Sequence, residues 1–252
     1  MKYISKILVS SVVLSTLCFS MAHANDTNST EQSSNDQWKF STNIYAFAAD
    51  MDGTVGYRNV NYALEQSFSD TVKQLNKVMM ANFDLNHGKW GAFADIQYVK
   101  TRETENILYF PVEIESTVSL SNMGLYYKAF DQNVWGGNLV IEPLAGVEYT
   151  HIKTKLGSLG HTVDTEKNWF EYIGGARLRY NANSPWNFAA QYTYGLEKTE
   201  IAQAYIGYRI PNRIVAMNLR AGYRYVHQDY TNDNFKWDVT QKGPVIGVGF
   251  SF

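Results

Sequence analysis

Cysteine is nearly absent from this chain of 252 residues, and its single copy is Cys18. Past the N-terminal segment there is no run near the roughly 18 unbroken apolar residues of a transmembrane helix. There is no excess of positive charge either, with 22 Lys and Arg against 24 Asp and Glu. That argues against nucleic acid, which needs a basic footprint. No His-x-x-x-His or carboxylate–His ligand pattern suggests zinc, so no metal site and no cofactor are expected.

The single cysteine lies in a segment with its own signature. Lys2 and Lys6 precede an apolar run from Ile7 to Phe19, and Ala22-His23-Ala24 is a small-x-small cleavage site. The pattern predicts a secretory signal peptide over 1–24, cut after Ala24. The run is too short to span a bilayer comfortably. Leu17 before Cys18 does not suit a lipoprotein signal. Cys18 leaves with the signal, so the mature chain has no disulfide, thiol nucleophile or cysteine metal site. Losing Lys2 and Lys6 leaves 20 basic against 24 acidic residues, a net charge of −4. Residues 25–37, "NDTNSTEQSSNDQ", are polar without an apolar period and predict a disordered leader.

What the sequence does have is aromatics, 15% of residues with 18 tyrosines, and alternation. Tyrosine, with an apolar ring and a polar tip, suits a membrane–water boundary. From Trp38 onward the period is two, in segments long enough for a tilted strand to cross a bilayer. In "AMNLRAGYRYVHQDY", Met217, Leu219, Ala221, Tyr223 and Tyr225 alternate with Asn218, Arg220, Gly222 and Arg224. The segments "WGAFADIQYV", "LVIEPLAGVEYT", "WFEYIGGARLRY" and "NFAAQYTY" repeat the pattern. A soluble sandwich also alternates, but here the bulky apolar row would face lipid and the arginines a lumen.

The connections alternate in length. Short turns at 86–89, 183–185 and 211–213, and a longer one at 131–137, separate polar stretches at 50–76, 102–116, 155–167, 195–201 and 230–235. Short turns inside and long loops outside mark outer-membrane barrels, which have an even number of strands. The expectation is an all-β, antiparallel transmembrane barrel of about ten strands over 38–252, both ends periplasmic. The last strand should pair with the first, leaving no open edge.

Two features then resemble known proteins. The ending "GPVIGVGFSF", with Phe252 last and Phe250 and Val248 at alternate positions before it, resembles the assembly signal of Gram-negative outer-membrane proteins. The blocks "SFSDTVKQLNKVMMANFDLNHGKWGAFADIQYV", "IEPLAGVEYTHIK", "NWFEYIGGARLRY" and "NLRAGYRYVHQDY" look like a family of small, largely uncharacterised Gram-negative outer-membrane β-barrel proteins. The resemblance implies fold, location and recognition of the C-terminus by the barrel assembly machinery. It brings no reaction and no catalytic residue.

Alternation assigns Asp84, Asp95, Glu142, Glu148 and Glu171 to the lumen, with Lys39, Lys128, Arg177, Arg179, Arg209, Arg220 and Arg224. A dedicated ion pore would show rings of one sign. A mixed set is better explained by ion pairs across a narrow, filled barrel; a channel for a small polar solute is the alternative. In the first long loop, Ser67 or Ser69 can cap a helix and Asp70 suits its first turn. Phe68, Val72, Leu75 and Met79 share one helical face, so a helix over 67–79 should cap the barrel mouth or plug the lumen. Lys153 and Lys155 sit just above the outer interface, where they could meet lipid phosphates or simply snorkel. His151, His161 and His227, the last near Asp229 and Asp233, fall at outer strand ends. A lipid- or peptide-modifying enzyme would need more than their spacing supplies. The function read from sequence is a monomeric outer-membrane barrel with a structural or surface-interaction role, its partners outer-membrane lipids and the assembly machinery.

Overall fold

The structure is a computed structural model. It describes residues 37–57, 60–107, 110–158, 161–211, 216–232 and 234–252. The predicted signal peptide and nearly all of the predicted leader lie outside them.

Alternating side chains make these segments strands. The first is β1 (Trp38–Phe47), continued in register by β2 (Asp50–Tyr57). β3 (Val60–Gln66) folds back on β2. A helix, α1 (Phe68–Gln74), leads into β4 (Leu75–His87). β5 (Trp90–Ile107) and β6 (Phe110–Tyr127) form the next hairpin. β7 (Phe130–Val134) is a short arm paired with the start of β8 (Gly137–Ser158). β9 (His161–Ala182), β10 (Trp186–Gly195), β11 (Glu200–Ile210), β12 (Ala216–Asn232) and β13 (Phe235–Ser251) complete the wall.

Ten staves close the ring in the order β1, β4, β5, β6, β8, β9, β10, β11, β12, β13, with β13 pairing back to β1. All neighbours are antiparallel, as expected. The C-terminal strand meets the N-terminal one through Ile44↔Val248 and Thr42↔Phe250. Phe40 and Phe252 exchange two backbone hydrogen bonds, N–H to O, of 2.9 and 3.3 Å. Closure satisfies the backbone groups that an open edge would expose.

One end of the barrel carries tight turns. Between Val134 and Gly137, Trp135 and Gly136 form a two-residue loop with φ of 51° and 72°. Both residues are left-handed, as a type I′ hairpin turn requires, and glycine takes that conformation at no steric cost. At the other end most of the expected polar loops are strands instead, while 195–201 keeps a turn between β10 and β11. β5 and β6 stay paired to Ile107↔Phe110, β8 and β9 to Ser158↔His161, β12 and β13 to Asn232↔Phe235. The sequence reading took their polarity for irregularity. A hairpin standing clear of lipid can be polar on its outer face and remain a sheet.

The helix is shorter than expected. Ser67 is its N-cap, accepting from the Asp70 N–H, with Asp70 in the first turn. Leu75 and Met79 belong to β4, since pairing with β5 begins at Leu75. α1 has no buried residue, so it does not plug the lumen. It sits at the seam between β3 and β4. The Phe68 N–H donates to Asp50 Oδ1 at 2.8 Å, and Gln74 Nε2 donates to Glu103 Oε2 at 2.6 Å.

Candidate functional site

The outer surface is apolar through its middle. Ile44, Met123, Leu125, Phe170, Tyr172, Tyr223 and Ile246 are all more than half exposed. In water such a band would be an aggregation surface; in a bilayer it is the lipid contact. Aromatic pairs rim it at the short-turn end: Trp90–Tyr127 with centroids 4.9 Å apart, Trp186–Tyr208 at 5.0 Å, and Phe40–Phe252 at 5.9 Å. Tyr149–Phe170, at 4.6 Å, lies farther up the outer wall.

The inner face is organised in tiers. At the short-turn mouth Lys128 Nζ donates to Asn86 Oδ1 at 2.6 Å and to the Gly88 carbonyl at 3.1 Å. Arg209 donates to the carbonyls of Ala182 and Ser184, each at 2.9 Å. Lys39 is exposed at the same mouth.

Above it, ion pairs cross the lumen. Arg177 on β9 donates to Asp84 on β4 at 2.7 Å and lies over the Tyr126 ring, 5.1 Å from its centroid. Tyr126 also donates to Asp84, at 2.7 Å. Gly91 makes room for that ring, since a Cβ there would fall 2.1 Å from it. Arg179 pairs with Glu142, a fully buried carboxylate. Arg224 on β12 reaches Asp95 on β5 at 2.8 Å, and Tyr45 donates to the same carboxylate at 2.5 Å. Arg224 and Asp95 are 1% and 6% exposed. A buried charge needs such pairing, because losing one partner strands the other.

The next tier is apolar and was missed in the sequence. Phe47, Met80, Leu120, Ile201, Val226 and Val245 form one buried cluster. Leu120 is on β6 and Val226 on β12, which stand five places apart in the ring of ten, so the cluster spans the lumen. A second buried cluster joins Ile152, Trp169, Phe235, Trp237 and Val239, with Tyr230 stacked on Trp169 at 4.4 Å. A signal was present: Val226 continues the inward row of Arg224, and Val239 and Val245 lie on the inward row of β13. Attention to the greasy outward row hid it.

Beside these layers Glu148 and Glu171 face each other across β8 and β9. They are 1% and 3% exposed, and neither makes a direct ion pair among the described residues, Arg224 acting on Glu148 only at longer range. Gln228 Nε2 donates to Glu148 Oε1 at 2.8 Å. Glu171 Oε1 accepts from the backbone N–H groups of Glu197 and Thr199.

Outside, the structure places Lys153 and Lys155 in a charge ladder along the extended hairpins. Lys153 pairs with Glu166 at 2.6 Å and Asp164 at 3.5 Å; Lys155 approaches Glu115 at 3.8 Å. Glu115 also binds Lys100 and Arg102, each at 2.7 Å. Those bonds, Lys100 foremost, push its carboxyl down to about 2. The hydrogen bond from Lys153 lowers the Glu166 carboxyl and, in return, raises the lysine. His151 contacts Glu166 at 3.1 Å, and His227 contacts Thr240 Oγ1 at 3.1 Å, while Asp229 pairs with Lys198. These contacts do not set either histidine beside both a nucleophile and an orienting acid. Asp233 and the His161 side chain lie outside what the structure describes. No cluster of metal-ligating side chains occurs among the described residues.

A closed, even-stranded antiparallel barrel with a lipid-facing band and an aromatic rim is an outer-membrane β-barrel protein. No protein-family model and no curated protein matches the sequence. Among solved structures it is similar to Ail, the attachment invasion locus protein of Yersinia pestis, at 14% identity and a TM-score of 0.40, covering 86% of this chain and 99% of that one. The Escherichia coli outer membrane protease OmpT gives 6% identity and a TM-score of 0.46, covering 87% and 98%. Neisserial surface protein A gives 9% and 0.30, covering 85% and 95%. At these identities and scores no activity passes from them to this chain.

Proposed function

We propose that the protein is exported through a signal peptide cleaved after Ala24, resides as a monomer in the bacterial outer membrane, and acts at the cell surface rather than as a pore. The observation that carries this reading is the apolar septum. An aqueous path must cross the buried cluster from Leu120 to Val226, where the polar neighbours Gln97, Thr150 and Gln241 are themselves buried and offer no continuous wet path. Below it the salt bridges narrow the lumen to a small cavity; above it Trp169 and Trp237 are buried in a second apolar cluster. What remains available for interaction is the outer end, where three hairpins extend the wall as ordered sheet beyond the lipid band. Their exposed faces carry the charge ladder of Lys100, Arg102, Glu113, Glu115, Lys153 and Glu166. Ordered strands present such groups with little entropy left to lose on binding.

Liposome swelling tests this. Protein refolded into vesicles should admit sugars and amino acids no faster than empty vesicles. Swelling that scales with protein content would replace the surface reading with a channel.

A further inference from the structure

Charge is not evenly spread along the lumen. On the short-turn side of the septum three carboxylates pair with three arginines: Asp84 with Arg177, Asp95 with Arg224, and Glu142 with Arg179 and, at 3.8 Å, Arg177. Arg220 is left over. It lines the same cavity as Arg177, Arg179, Asp84 and Asp95, and among the described residues it makes no direct ion pair, Asp84 acting on it only at longer range. Its register partners on both sides are glycines, Gly207 and Gly247, and the space over them is taken by the Asn187 and Asn218 carboxamides and by Tyr45. The cavity holds about 110 Å³, enough for several waters or one small polyatomic ion.

Two carboxamides face the same space. Gln191 Oε1 accepts from Arg177 Nε at 2.8 Å, and Gln203 Oε1 accepts from the Tyr205 hydroxyl at 2.9 Å. With both oxygens committed, the ends available to a guest are amide N–H donors. The mouth below adds Lys39, Lys128 and Arg209, with Asp131 the carboxylate that acts on Lys128 from that side. Asp84 and Asp95 also line the cavity, but three guanidiniums face them, and that excess of positive charge, with donors around it and a basic approach, makes a site for an anion.

We propose that the lumen below the septum is a blind vestibule that binds one small oxyanion of the phosphate or sulfate class on Arg220. Guanidinium forks match tetrahedral oxyanions in two parallel hydrogen bonds. The septum closes the far side, so the ion enters and leaves by the short-turn mouth. This stands independently of the surface reading: a vestibule can be occupied whether or not the outer hairpins bind anything.

The test uses the refolded full barrel in detergent, titrated with inorganic phosphate and followed by phosphorus NMR line broadening. Wild type should show saturable broadening that sulfate competes away and chloride displaces only weakly. Arg220→Met, checked for folding by its heat-modifiable mobility, should weaken binding by about tenfold or more, as expected for the loss of a charged hydrogen-bonding partner. Lys153→Ala, on the outer surface, should leave it unchanged. Equal broadening by wild type and Arg220→Met overturns the proposal, as does an effect lost with Lys153 instead. Should Arg220→Met fail to fold, crystals of the wild type grown with selenate decide: an anomalous selenium peak within hydrogen-bonding distance of the Arg220 guanidinium supports the site, and a cavity holding water alone refutes it.

Discussion

The lumen holds two neighbouring regions built on opposite principles. Toward the short turns, Arg177–Asp84, Arg179–Glu142 and Arg224–Asp95 tie facing strands together by charge. Toward the long hairpins, Leu120, Val226, Trp169 and Trp237 do so by apolar packing. The charged region has fixed geometry and depends on every partner being present, because each ion has given up its water. The apolar region needs only volume and shape. A barrel that meets water at one mouth can keep a polar compartment there, while the dry layer does the sealing.

The two regions should fail differently. The largest effect is expected from Asp95→Ala, which strands the Arg224 guanidinium at 1% exposure. It should cost about 3–5 kcal/mol of folding free energy, as removal of one partner of a buried pair does. Urea unfolding in detergent measures this, and a double variant with Arg224→Met should recover much of the loss. Failure to recover would mean that Tyr45 and the surrounding packing matter more than charge matching.

Leu120→Ala comes next. Leaving a cavity in the septum should cost about 2–5 kcal/mol, set by how far the neighbours collapse into it. Here no double variant with a charged partner should rescue. The same unfolding experiment checks it, and an effect below the lower bound would show that the layer is loosely packed.

Much of the fold was legible before any coordinates. The outward rows of β12 and β13 gave strand type, lipid face and closure, because in a bilayer one face of every spanning strand must be apolar. The assignment of Asp84 and Arg177 to the lumen followed from the same parity. Their pairing across the lumen did not, since residues on β4 and β9 are joined only by barrel tilt and diameter, which no local pattern encodes. The septum was overlooked because Val226 and Leu120 are apolar on an inward row, where a filled barrel tolerates either character. The outer hairpins were read as loops because polarity there reports solvent on the outer face, not loss of strand pairing. Met79 fell on a helical face by spacing, yet pairing with β5 makes it strand: tertiary pairing overrides a short local period.

A smaller effect sharpens the contrast between inner and outer charges. Glu115, held low by Lys100 and Arg102, binds its proton less readily folded than unfolded. Its contribution to the β5–β6 hairpin is therefore complete above the ordinary glutamate value of about 4.5 and is lost as pH falls through about 2. Protection factors of the hairpin amides at Thr101 and Ser116, taken relative to intrinsic exchange at each pH, should fall over that window and stay constant between pH 6 and 8. Protection that instead falls near neutrality would show that another group controls the hairpin.

The smallest thermodynamic effect is expected at the rim. Phe252, 64% exposed beside Phe40, ends the lipid-facing row. Phe252→Asp should cost only about 0–1 kcal/mol in the folded barrel, because the penalty for charge falls towards the interface. Outer-membrane yield in cells should nevertheless drop severely if the terminal residue is read during assembly. Normal yield would remove that role; an equal failure to refold in detergent would place the defect in the barrel itself.

The septum is tested most directly by single-channel recording in planar bilayers, wild type beside the Leu120→Ala, Val226→Ala double variant. A lumen closed by these residues gives no steady current in the wild type and, once both are truncated, brief openings that become longer when Trp169 and Trp237 are truncated as well. A stable wild-type conductance, unchanged in the double variant, would contradict the closed lumen outright.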